Sequence, residues 1–155
     1  MEQTPSDLPA EAPTIYLVER NGRQQEAIRN KLRKHGFQVL VAHNPLLAVQ
    51  RFSTHGFDAL IVDVSRTQDE GLEAVRKITR DARRRGKTCP CIVLLKPDQK
   101  PVARRLQAEA TAQDTVVLLY RPVRLLELLA TVKSLVQSRP DPADSDRQKY
   151  DLAGA

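Results

Sequence analysis

Four apolar stretches of this 155-residue chain run into side chains able to do chemistry. Residues 15–18 lead to Glu19-Arg20, residues 59–62 to Asp63, residues 92–95 to Lys96-Pro97, and residues 116–120 to Arg121-Pro122. Carboxylates in such places can ligate a hard cation or act as nucleophiles, and the cations can hold an anion. Arginine is permanently charged and forks onto carboxylates, so these groups can also pair with one another. The plain alternative for Asp63 is a strand-end residue that caps or turns the chain. Other chemistries have less behind them. Glu19-Arg20-Asn21-Gly22-Arg23 holds a single glycine, which gives no support to a dinucleotide or P-loop reading. Cys89 and Cys91 flank Pro90 with no further cysteine to complete a zinc set. His35, His43 and His55 lack ligand spacing, so no metal site is expected of them, and Cys91, opening an apolar run, reads as structural.

These groups need a frame to hold them. Residues 15–18, 39–42, 59–64, 92–95 and 116–120 are near-continuously apolar and rich in β-branched side chains. That pattern suits strands covered on both faces of a parallel sheet. Helical segments lie between them. Asn21 with Gln24 predicts a capping box at the first, and Asn44-Pro45 reads as the cap and first residue of the second. Val75, Ile78, Thr79 and Ala82 give the third an apolar face. Asp98 predicts the cap of the fourth, with Pro101 in its first turn and Val102, Leu106 and Ala110 on one side. Leu125, Leu128, Leu129, Val132, Leu135 and Val136 make a wide apolar face on the last. Strand and helix thus alternate five times, which predicts an α/β fold with a doubly wound parallel sheet. Ligands of such folds bind at the carboxyl ends of the strands, where the charged residues stand.

Composition agrees with one globular domain: 41% of residues are apolar and 28% charged. No apolar run approaches the roughly 18 residues of a membrane span, so no membrane partner is expected. The first 13 residues lack the basic flank and apolar core of a signal peptide, and cytoplasmic residence is the default expectation. The net charge of +6 is unevenly divided. Residues 14–138 hold 22 Lys/Arg and 12 Asp/Glu, whereas the two ends hold 3 and 7. Acidic, proline-bearing ends with little to bury predict flexible tails over 1–13 and 139–155, around one domain at 14–138.

The stretch Asp58-Ala59-Leu60-Ile61-Val62-Asp63, followed by Glu70-Gly71-Leu72-Glu73, resembles the third strand and following loop of response-regulator receiver domains. Arg121-Pro122 is similar to that family's Lys-Pro after strand five, and residues 90–95 match its fourth strand in position. The likeness covers about residues 14–138. It implies a flavodoxin-like three-layer sandwich with strand order 2-1-3-4-5. It also implies a phosphorelay role in a two-component system. In that family an aspartate accepts a phosphoryl group from a histidine kinase, with Mg²⁺ held by an acidic pair, the acceptor and a backbone carbonyl. A lysine then binds the phosphoryl group, and a hydroxyl and an aromatic residue relay the change.

By that resemblance Asp63 takes the phosphoacceptor position, Ser65 would offer the carbonyl, and Glu19 keeps one carboxylate of the acidic pair. The other positions depart. Arg20 replaces the second acid, Leu95 the hydroxyl, Leu118 the aromatic, and Arg121 the lysine. Lys96 stands where a small residue usually leaves the acceptor open, and Thr67 where the loop usually has proline. An Arg20–Asp63 pair is expected to stand in for the metal, and Lys96 to cover the aspartate. Mg²⁺ binding is expected to be weak or absent, with no other cofactor. The chain is therefore expected to be no enzyme but a stand-alone pseudo-receiver that works by protein docking. The alternatives are an atypical receiver phosphorylated on Asp63 and a nucleic-acid-binding module.

The nucleic-acid reading rests on Arg76, Lys77, Arg80, Arg83, Arg84 and Lys87, which share one side of the third helix opposite its apolar face. Arg85 adds a further charge. No aromatic side chains interleave with them, and no helix-turn-helix follows residue 138, so a protein partner, such as a histidine kinase, is favoured over nucleic acid. Leu126 and Ala130 lie beside the core face of the last helix. They offer a homodimer or partner surface with the fourth helix and fifth strand, or else broaden the core.

Overall fold

A computed structural model describes residues 12–111 and 114–137. Five parallel strands form one sheet in the order β2-β1-β3-β4-β5. They are β1 (Thr14–Val18), β2 (Gln38–Ala42), β3 (Ala59–Asp63), β4 (Cys91–Leu95) and β5 (Val116–Tyr120). Between and after them come α1 (Gly22–Lys34), α2 (Pro45–Thr54), the short α3 (Val64–Thr67), α4 (Asp69–Arg84), α5 (Lys100–Glu109) and α6 (Leu125–Gln137). This is the doubly wound sheet that the alternation predicts, in the flavodoxin-like order that the resemblance implies. None of the described helices is long and apolar enough to cross a membrane. The tails expected over 1–13 and 139–155 fall outside the described residues apart from positions 12 and 13.

Strand periodicity divides the core in two. Tyr16, Val18, Leu60, Val62, Val93 and Leu95 point to one side, against Ala48 and Phe52 of α2, Leu72 and Ile78 of α4, and Leu106 of α5. Ile15, Leu17, Ala59, Ile61, Ile92 and Leu94 point to the other, against Ile28 and Leu32 of α1 and Leu128, Leu129 and Val132 of α6. The three central strands are buried along their whole length except for Thr14, which explains their unbroken apolar runs. The edge strands are only half covered, with Val41 and Tyr120 exposed.

Caps follow the sequence in two helices and depart in a third. Asn21 accepts from the Gln24 amide at 3.0 Å, and Asn44 from the Leu46 amide at 3.0 Å with Pro45 behind it. Asp98 caps nothing: residues 97–99 form a 3-10 turn, and Gln99 occupies the cap of α5 without a side-chain bond to that helix. The apolar run ends at Asp63 rather than at Val64, because Val64 already belongs to α3. On α6, Leu125 is exposed, so its core face is narrower than the leucine spacing predicts, and Leu126 and Ala130 face solvent instead of broadening the core.

Candidate functional site

β1 and β3 are neighbours; β3 ends in a carboxylate, and another follows β1 directly at the same end of the sheet. Glu19 and Asp63 are fully buried there. Glu19 accepts the Asn21 amide at 3.1 Å, and its own carbonyl accepts from Gln25 Nε2 at 3.0 Å, so the turn into α1 fixes it. Asp63 is held by the turn that follows β3. The Thr67 hydroxyl donates to the Asp63 carbonyl at 2.7 Å, and the Ser65 hydroxyl donates to Oδ1. That turn packs so closely on α4 that a Cβ at Gly71 would stand 2.2 Å from Thr67 Oγ1. A side chain at position 71 would have to displace the Thr67 hydroxyl.

Two buried carboxylates demand cations. Arg121, at the end of β5, supplies one: its Nη2 lies 2.7 Å from Glu19 Oε2 and 3.1 Å from Asp63 Oδ1. Its Nε donates to Ser65 Oγ at 3.0 Å, and its Nη1 to Gln24 Oε1. One guanidinium thus ties together β1, β3, α1 and the turn after β3. Arg66 of α3 supplies the second, with Nε 3.5 Å from Asp63 Oδ2 and 3.9 Å from Glu19 Oε1. Arg121 is mostly covered, whereas Arg66 is 46% exposed. Burial pushes the Glu19 carboxyl above its ordinary value and Asp63 adds to that, against the pull of the Asn21 amide and Arg121. Asp63 Oδ2 is buried and accepts no hydrogen bond.

The cations singled out in the sequence are elsewhere. Arg20 does not pair with Asp63: its Nε donates to the His43 carbonyl at 3.2 Å and its Nη2 meets Glu70 at 3.2 Å. Consecutive residues leave a strand on opposite sides, so Glu19 pointing into the site turns Arg20 away from it. Lys96 does not cover Asp63 either. It is exposed, makes no ion pair among the described residues, and its amide donates to Gln99 Oε1 at 2.8 Å as the chain enters the 3-10 turn. Leu95 is fully buried and Leu118 packs against the same core, and neither can donate a hydrogen bond. Three contributors escaped the sequence reading. Arg66 is reached only through the one-turn α3, Gln24 turns its side chain to Arg121 instead of closing a capping box, and Gln99 Nε2 donates to the Val64 carbonyl at 3.3 Å.

The residues present fit a dication poorly. Mg²⁺ asks for several hard oxygen ligands. Here two carboxylates converge, Arg20 brings none, and the Arg121 guanidinium already touches one oxygen of each. Among the described residues no three His, Cys, Asp or Glu side chains gather. Cys89 and Cys91 are buried, and the thiol of Cys91 is pushed well above its ordinary value by its bond with Cys89 and by burial.

The basic side of α4 is divided rather than uniformly open. Arg76 is gripped by Glu109 at 2.6 and 2.9 Å, and Arg83 meets Asp114 at 3.1 Å. Lys77, Arg80 and Arg84 are exposed and hold no ion pair among the described residues; Lys87 is exposed too, but α4 ends at Arg84, so Lys87 lies beyond the helix rather than on its side.

A buried acid thus ends β3, a second follows β1, and a cation follows β5. The response regulator receiver domain family profile matches residues 15–132. The chain belongs to that family. Response regulator MprA of Mycobacterium bovis is 31% identical over 132 residues, which cover 84% of this chain and 53% of that protein. The receiver therefore spans about half the length of the curated relatives it matches. Among solved structures, the receiver domain of a histidine kinase from Syntrophus aciditrophicus superposes with a TM-score of 0.66 at 27% identity, covering 84% of this chain and 96% of that one. A response regulator from Thermotoga maritima gives 0.61 at 27%, covering 82% and 99%.

Proposed function

We propose that this receiver is a pseudo-receiver of a two-component system, a docking module in which a fixed arginine cage replaces the ion-dependent phosphoryl switch. One observation carries the reading: the Arg121 guanidinium bridges the buried carboxylates of Glu19 and Asp63 at 2.7 and 3.1 Å. Phosphoryl transfer needs a carboxylate oxygen open to in-line approach and a cation to neutralise developing charge. Asp63 is fully buried, with Arg66 across its second oxygen, and displacing these cations would leave buried charge uncompensated. Leu95 and Leu118 offer no hydroxyl or aromatic to relay a change. Mg²⁺ then binds weakly or not at all, and the domain acts in the cytoplasm through a protein partner, a histidine kinase or another signalling protein, rather than as an enzyme. The exposed Leu125 and Leu126 of α6, with Tyr120 of β5 and the neighbouring α5, give such a partner or a second copy an apolar surface.

The second reading, slow phosphorylation of Asp63, draws on Oδ2, which no hydrogen bond occupies. Nucleic-acid binding has less support, since acids already hold Arg76 and Arg83. Incubation with acetyl phosphate and Mg²⁺, read by intact mass, separates the first two. No added phosphoryl group is expected. Stoichiometric addition that Asp63→Asn abolishes would overturn the proposal.

A further inference from the structure

The opposite end of the sheet, where the strands begin, gathers charge that neither the carboxylate site nor the α6 surface uses. α4 ends there in Arg83 and Arg84, followed by Arg85 and Lys87. Arg85 bonds Asp81 at 3.0 Å and the Ser53 carbonyl at 2.9 Å, which draws the ends of α2 and α4 together. Between them opens a cleft of about 400 Å³ with Thr14, His55, Asp58, Arg85, Lys87 and Thr88 among its walls. Asp58 is engaged there by the Thr14 amide at 2.7 Å. Arg84 and Lys87 meet no carboxylate among the described residues.

The chain enters the fold at this same cleft. The Pro13 carbonyl accepts the Gln38 amide at 2.9 Å, and Thr14, the next residue, is part of the wall. Residues 1–11 precede it with Glu2, Asp7 and Glu11 and no lysine or arginine. An extended segment of that length spans up to about 36–40 Å, so reach sets no limit. Tethering holds it beside the cations at an effective concentration on the order of millimolar. We infer that residues 1–11 dock in this cleft, with their carboxylates facing Arg84, Arg85 and Lys87. The segment is then the resident occupant of the basic end, and any outside polyanion must displace it. This inference does not depend on the pseudo-receiver reading.

The 155-residue chain tests it through Ser6→Cys carrying a nitroxide label, the native thiols being buried. Amide signals of His55 and residues 84–88 should broaden at low salt and recover in about 0.5 M salt, where charges are screened within a few ångströms. The triple variant Glu2→Gln, Asp7→Asn, Glu11→Gln should lose the broadening. A duplex oligonucleotide should bind that variant several-fold more tightly than the native chain, because the competitor is gone. Broadening centred instead on residues 31–35 at the basic end of α1, broadening that salt leaves unchanged, or equal oligonucleotide affinity for both proteins would each overturn the inference.

Discussion

Arginine meets carboxylate in two regions of this receiver, and the contacts look alike. On the α4–α5 surface Arg76 chelates Glu109 at 2.6 and 2.9 Å. At the strand ends Arg121 reaches Glu19 at 2.7 Å and Asp63 at 3.1 Å. The surroundings differ. Glu109 is 42% exposed, while Glu19 and Asp63 are fully buried. Water can solvate the surface partners as soon as they separate, so an exposed pair contributes little. No water takes over for a buried carboxylate that loses its cation. Distance therefore says which groups touch, and burial says what their separation costs.

Substitutions put that contrast at risk. Arg121→Ala should cost about 3–5 kcal/mol in urea unfolding, since it strands two buried charges at once. Arg66→Ala should cost about 1 kcal/mol, because Arg66 is half in solvent and water can follow it out. Arg76→Ala should cost least, a loss near the scatter of the same unfolding curves. A cost for Arg76→Ala equal to that of Arg121→Ala would break the comparison.

Acid sharpens it further. The Glu19 carboxyl is raised, by burial first, so it contributes stability below its ordinary value and that contribution is lost as pH rises through its folded value. Glu109 is lowered, chiefly by its bond from Arg76, so its contribution is present above the ordinary value and lost as pH falls through its folded value. Carboxyl NMR should show Glu19 titrating above 4.5 and Glu109 below it. The reverse order would contradict the assignment of burial as the dominant cause at Glu19.

The frame was readable because central strands are covered on both faces, and only unbroken β-branched runs satisfy that. The same runs set Glu19, Asp63 and Arg121 at one end of the sheet, where the structure brings them together. Side-chain direction just beyond a strand was not readable. Arg20 and Lys96 follow buried residues and turn away, toward Glu70 and into solvent. Arg66 was missed because it stands three positions after Asp63, and only the one-turn α3 carries it back over that carboxylate. Asp98 had the composition of a cap, yet a 3-10 turn placed Gln99 there instead.

The arginine cage itself is tested most directly by amide NMR spectra recorded with Mg²⁺ and beryllofluoride, a stable stand-in for the phosphoryl group. The native chain should show no shifts around Asp63, while Arg121→Lys, which withdraws the bridging guanidinium, should gain Mg²⁺-dependent shifts there. Saturable shifts at Asp63 and across β4 and β5 in the native chain would contradict the account.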